Sequence, residues 1–467
     1  MDNRLRFDAY LLHAQNFQRK LALANDYFQE GGPSIQHAVA LLVRNWVNIQ
    51  CGQAWSATQA SEDVTAVNLC HAFANSADYN FLLVRLFPKE YRCWQEDALE
   101  GDLKTYGEDH PDVTSDRNNL GLAWQALGEY QQAIDYFEQA LASNLKTFGE
   151  DHPHVAIDWN NLGLAHHELG EYKKAIDYFE QALVSNLNNY DEDYPEAVIN
   201  RNNLGMSWLA LGEHQKAIGY LEKALASSLK NYGEDHPKVA RDRNNLAGVW
   251  QSLGEYEKAI SYLEQALVSD QKTLGEDHPA VARDRNNLGG VWQLLGEHQK
   301  ALDYHEQALA SDLKNYGEDH PQVAMDRNNL GSVWYSLGEY RKALGYHEQA
   351  LASNLETYGK DHPRLAIDWN NLGGVWQALG EHQKAICYYE QALASNLKTY
   401  DEDHPQVAMD RNNLGSAWRS LAQYSKAIDY FEQALDALKK RLGEAHPNTQ
   451  GVQANLDVAR REWQDMR

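Results

Sequence analysis

The chain has 467 residues, 43% of them hydrophobic, and a formal net charge of −25. That acidity argues against nucleic acid, whose phosphates demand a basic surface, and equally against anionic membranes. No apolar run approaches the roughly 20 residues a membrane-spanning helix needs. The start, MDNRLRFDAYLLHAQNFQRK, lacks the apolar core of a signal peptide, so a cytoplasmic protein is expected.

In chain order, residues 1–87 read as a helical leader or capping region. RFDAYLLHAQNFQRKLALANDYFQ precedes a Gly-Gly-Pro break, and SIQHAVALLVRNWVNIQCGQAW follows it. Residues 88–110, PKEYRCWQEDALEGDLKTYGEDH, read as a degenerate half repeat, placing the start of the repeated part near residue 65. From 111 to 447 the chain repeats with a period of 42. His-Pro, or Tyr194-Pro195 once, marks positions 110, 152, 194, 236, 278, 320, 362, 404 and 446. Such repeats stack into one body whose core grows unit by unit.

Within the first unit, Pro111 suits the first turn of a helix and His110 the extended N-cap before it. Packing positions 113, 117, 120, 124 and 127 follow helical spacing up to a break at Gly128. A second helix opens at Glu129, packs through Ala133, Ile134, Phe137, Ala140 and Leu141, and ends near Gly149. Trp124, Trp in seven of the eight units, reads as core. The arginine at position 117, present in six units, is expected to pack its stem and pair its head with a carboxylate. Residues 448–467 form a more polar C-terminal capping helix.

Units carrying L-G-x-x-[WY], G-x-[YH], A and A-L at these offsets resemble the tetratricopeptide repeat (TPR). The 42-residue period, the turn LGEDHPxVA and the NNLG motif look most like the kinesin light chain variety. The resemblance implies an all-α, right-handed α-solenoid of helix-turn-helix repeats, with the first helix of each lining a concave groove. The strings NWVNIQCGQAW and FLLVRLFPKEYRCWQEDAL are similar to a leader found before repeats in bacterial TPR signalling proteins.

On a helical wheel with Leu120 facing the core, Asn118 falls about 160° away and Asn119 about 100° away on the flank. Both asparagines recur in every unit: Asn118 and Asn119, Asn160 and Asn161, Asn202 and Asn203, Asn244 and Asn245, Asn286 and Asn287, Asn328 and Asn329, Asn370 and Asn371, Asn412 and Asn413. An amide can donate to and accept from a peptide group, so these residues are candidate contacts to a ligand backbone. The family implies such a role for the second of each pair most directly. The competing reading is that one asparagine of each pair bonds the neighbouring helix. Variable residues on the same face, Arg241, Arg283 and Tyr335 among them, would read ligand side chains.

The interunit histidines cannot share a metal, because neighbouring helices lie about 8–10 Å apart while zinc ligands sit about 2 Å from the ion; no metal and no cofactor are expected. Nor does the sequence hold a GxxxxGK[ST] phosphate loop, an HExxH pair or a convincing GxSxG elbow. The expected function is a non-enzymatic protein–protein interaction scaffold that binds a peptide or extended protein segment. The alternative is a sensor or regulatory subunit of a bacterial signalling or defence assembly whose catalytic effector is a separate protein. Neither reading fixes an oligomeric state.

Overall fold

Most repeats start from the same local chemistry, repeat 3, with Tyr194 before its proline, being an exception. His110 is extended (φ −72°, ψ 140°) and its Nδ1 accepts from the backbone N–H of Asp112 at 3.2 Å, which satisfies one of the donors a helix start leaves open. His236, His320, His404 and His446 do the same. The cap is held in place by stacking on the preceding aromatic: Tyr106 lies 4.5 Å from His110 and Tyr316 4.1 Å from His320. Capping is what these turn histidines do.

In the computed structural model, residues 3–30, 33–60, 63–75, 88–360 and 362–466 are described. Residues 81–87, which carry part of the leader resemblance, lie outside them. The described residues form 21 helices and no strand. Leader helices α1 (Asn3–Glu30), α2 (Pro33–Gln59) and α3 (Val64–Asn75) precede α4 (Pro88–Tyr106). Eight helix pairs follow, A then B in each repeat, from α5 (Pro111–Ala126) and α6 (Tyr130–Phe148) to α19 (Pro405–Ser420) and α20 (Tyr424–Arg441). A ninth A helix, α21 (Pro447–Asp465), ends the series.

The A–B turn places a residue in the left-handed region, which favours glycine; Gly128 has φ 78°, and in repeat 8 Ala422 takes the place with φ 55°. A second glycine is set by packing. A Cβ on Gly121 would stand 2.4 Å from the Phe137 ring, so the NNLG glycine lets the B-helix aromatic lie against the A-helix backbone. Ala133, Ala140 and Phe137 are all fully buried around that contact. The tryptophan stripe is only partly buried, and a lysine of the following B helix covers its outer face: Lys216 Nζ is 3.9 Å from the Trp208 ring and Lys384 4.2 Å from Trp376.

The chain divides into two compact units. One comprises Met1–Ala165, Asp177–Asn200 and Leu274–Pro279; the other comprises His166–Ile176, Arg201–Thr273 and Ala280–Arg467. In the first, one hydrophobic core runs from Phe17 and Leu21 of α1 through Phe73 and Trp94 to Val113 and Leu120 of α5, so leader and first repeat share an interior. In the second, the A–B turn of repeat 2 meets the opening of repeat 8. Nε2 of His404 is 3.3 Å from the Glu168 carbonyl oxygen, and Arg441 ion-pairs with Glu171 at 3.5 Å while also bonding Asp401. A cleft of about 430 Å³ lined by Tyr172, Gly212, Pro405, Met409 and His446 lies beside this contact.

Candidate functional site

The asparagine pair is best understood from the aspartate it surrounds. Asp158, fully buried on the A helix of repeat 2, accepts at Oδ1 from Asn118 Nδ2 (2.7 Å), one repeat earlier. At Oδ2 it accepts from Asn144 Nδ2 (2.6 Å) on the B helix between them. Asn118 in turn accepts at Oδ1 from Asn161 Nδ2 at 3.2 Å. Two amides and one carboxylate thus tie two A helices and a B helix together.

The second compact unit repeats the arrangement. Asn202 donates to Asp242, Asn244 to Asp284, Asn286 to Asp326, Asn328 to Asp368 and Asn370 to Asp410, all between 2.6 and 2.9 Å. The return bonds run from Asn245 to Asn202, Asn287 to Asn244, Asn371 to Asn328, Asn413 to Asn370 and Asn455 of α21 to Asn412. Repeat 3 has Asn200 where the others have aspartate, and the bond reverses: Asn200 Nδ2 donates to Asn160 Oδ1 at 3.1 Å. Burial pushes the carboxyls upward, Asp158 and Asp410 to about 6 and Asp326 to about 7, against the lowering effect of the amide donors.

This geometry corrects the role expected of the first asparagines. Asn118, Asn160, Asn202, Asn244, Asn286, Asn328, Asn370 and Asn412 bond within the scaffold rather than facing a ligand. The wheel placed Asn118 opposite its own core, but that direction is filled by the A helix of the next repeat. The second asparagines differ. Asn245, Asn287, Asn371 and Asn413 each spend Nδ2 on the ladder, and among the described residues their Oδ1 accepts from no group of the chain.

Asn329 stands apart. By register its Nδ2 should reach Asn286 Oδ1, which here accepts from the Nδ1–H of His305 at 2.8 Å. In the next repeat His347 donates likewise to Asn328 Oδ1 at 2.7 Å, and Asn371 still bonds that oxygen at 3.3 Å, so the histidine by itself does not account for the missing bond. His305 fills the place of Phe137 beneath the NNLG glycine, and burial pushes its ring down to about 4, keeping it neutral. Asn329 is left half-buried, with its carboxamide unpaired among the described residues.

Arg241 and Arg283 were expected to receive a ligand acid; both are already paired. Arg241 meets Asp242 at 3.3 Å, and Arg283 meets Asp284 at 2.9 Å and Asp270 at 3.4 Å. The buried carboxylates beside them supply the counter-charge. Tyr335 is 41% exposed, its ring 5.4 Å from Tyr340. On the same open face Met325 (39% exposed) and Ile367 (58%) occupy equivalent places on successive A helices of repeats 6 and 7. The position-117 arginines pair with a carboxylate as expected in three repeats, Arg117 with Glu108 at 3.4 Å, Arg327 with Glu318 at 3.9 Å and Arg411 with Glu402 at 3.5 Å, and they also bond the backbone of the same turn. Arg117, Arg243, Arg327 and Arg411 each donate through Nη1 to the backbone carbonyl of a turn glutamate at 2.8–3.1 Å. What sequence reasoning missed is the centrality of the aspartate: its recurrence in seven of eight repeats was the available signal.

A tandem array of helical hairpins bonded A helix to A helix is an α-solenoid, a class built to present an extended side-chain surface. Residues 94–146, 117–183, 195–267, 243–314, 286–356, 328–398 and 369–440 each match the tetratricopeptide repeat model, and the chain belongs to that family. A Rap protein complexed with competence and sporulation factor is 17% identical over 80% of this chain and 98% of that one, with a TM-score of 0.53; this likeness is one of fold. A kinesin light chain of Podosopora anserina with nearly identical TPR-like repeats is 27% identical over 44% of this chain and 97% of that one, TM-score 0.37. BtubC from P. vanneervenii is 22% identical over 51% and 92%, TM-score 0.39. No curated protein matches the chain. Among the described residues no helix is long and apolar enough to cross a membrane.

Proposed function

We propose that the chain is a non-enzymatic, cytoplasmic interaction scaffold that binds a peptide or extended protein segment along the open face of its A helices. The supporting observation is the patch around Asn329 in the second compact unit. An unpaired carboxamide stands one helical turn after exposed Met325, with exposed Ile367 on the next A helix. A half-buried amide can take one main-chain N–H and one C=O of an extended segment, while the apolar neighbours cover its side chains. The free Oδ1 atoms of Asn245, Asn287, Asn371 and Asn413 would accept further N–H groups. Asn119, Asn161 and Asn203 belong to the same register.

The test is selection of peptides from a display library on the purified chain, followed by fluorescence anisotropy with wild type and with Asn329→Ala combined with Met325→Ala. The double variant is expected to bind more than about tenfold more weakly, because truncating central contacts commonly costs over 1 kcal/mol each, with unchanged helicity. Equal affinity would move the ligand elsewhere. A second reading draws on the Rap protein complexed with competence and sporulation factor: if this chain also holds such a factor, its binding would regulate a separate effector protein. Peptide-dependent co-purification of one stoichiometric partner would favour it.

A further inference from the structure

Asp116 occupies in repeat 1 the place that Asp158 and Asp368 occupy in later repeats, but it lacks their donors. It is fully buried, and among the described residues no amide donates to its oxygens; the polar groups that face it are His71 and Asp102. The B-helix residue fourteen positions earlier is an amide for those two aspartates, Asn144 and Asn354. For Asp116 it is Asp102, itself only 2% exposed. His71 of α3 completes the cluster: its Nδ1 lies 3.0 Å from Asp102 Oδ2 and 3.2 Å from Asp116 Oδ1.

Three donor atoms, one each from α3, α4 and α5, therefore lie within 4.8 Å of one another. Ligands held at 2.0–2.2 Å from a single ion stand roughly 2.8–3.6 Å apart, and both imidazole–carboxylate separations fall in that interval. The charge balance points the same way. Two buried carboxylates beside one protonated imidazole leave an uncompensated negative charge, which is costly inside a protein. A divalent cation with neutral imidazole compensates both. The His71 side chain is 24% exposed, which leaves an approach from solvent.

We propose that His71, Asp102 and Asp116 form a binding site for a divalent transition metal that staples the leader to the first repeat. One nitrogen and two carboxylate ligands suit zinc, manganese or ferrous iron rather than the harder, all-oxygen cations. The bound ion joins three helices that share one core, so it orders the beginning of the repeat stack.

The test uses the full chain stripped with chelator, then dialysed against Zn²⁺ or Mn²⁺, with bound metal measured by mass spectrometry. Asp102→Asn is the informative variant, because it recreates the Asn–Asp contact that other repeats use and so retains the fold. Wild type is expected to hold one tightly bound ion and to gain in Tm when loaded. Asp102→Asn should bind more than about tenfold more weakly, the scale on which disturbing a metal site acts. Co²⁺-loaded wild type should show visible ligand-field absorption that is lost in His71→Gln. Equal uptake by wild type and Asp102→Asn would mean an adventitious ion only and would overturn the proposal. No uptake by wild type would overturn it as well, leaving His71 as an imidazolium bridge between two acids.

Discussion

Asp326 has no contact with solvent, and the residue that the preceding B helix sets against it is Asp312, where Asp158 and Asp368 meet Asn144 and Asn354 instead. Burial, opposed by the Asn286 and Asp312 hydrogen bonds, pushes Asp326 from 3.8 up to about 7. A carboxyl whose folded pKa is raised stabilises the fold fully below its unfolded pKa, and that stability is lost as pH rises through the folded value. For Asp326 the loss therefore falls between about pH 4 and pH 7. Asp312→Asn supplies an amide donor in its place. It is expected to raise stability by about 1–3 kcal/mol at pH 8, the scale of satisfying a buried polar group, with little effect at pH 5. Urea midpoints at the two pH values check this; an equal shift at both would refute the shared-acid account. His305 works in the opposite sense. Its ring is held down near 4 by burial, so its contribution is present above about pH 6.5 and is lost as pH falls through its folded value.

Within a helix pair, the same residue type serves two unlike purposes. A Cβ on Gly373 would lie 2.5 Å from the Tyr389 ring, whereas one on Gly290 would meet nothing within 4 Å. Gly373→Ala should therefore destabilise by about 1–3 kcal/mol through overpacking. Gly290→Ala, in an open helix interior, should stabilise by about 0.5–1 kcal/mol. Denaturant midpoints of the two variants, measured side by side, decide it; like signs would mean that packing does not explain the NNLG glycine. The element boundaries themselves were legible. Pro111 and Gly128 bracket the A helix, and the expected second helix from Glu129 to Gly149 is observed as Tyr130–Phe148. Capping and left-handed glycine are local chemistry, which is why pattern alone located them.

At the scale of the whole chain, contacts between distant repeats add to the neighbour-to-neighbour ladder. In the second compact unit Arg441 holds Glu171 across 270 residues, beside the His404–Glu168 contact. Arg441→Ala is expected to speed amide exchange in the turns at 166–172 and 401–406 while leaving far-UV circular dichroism unchanged. Unaltered exchange there would show that the ion pair carries no structural weight. The family, the repeat count, the helix limits and the absence of known catalytic motifs were all readable from the chain by itself, because they depend on spacing along it and on local backbone preference. The asparagine ladder was visible as a recurrence, but its partners were not. Whether Asn118 faces a ligand or Asp158 depends on where the following A helix packs, and a wheel drawn for one helix omits its neighbours. The unpaired carboxamide of Asn329, the pairing of Arg283 with Asp284, and the meeting of His71, Asp102 and Asp116 likewise needed three dimensions. Each joins residues brought together by packing between helices, an energy that no short window of sequence contains.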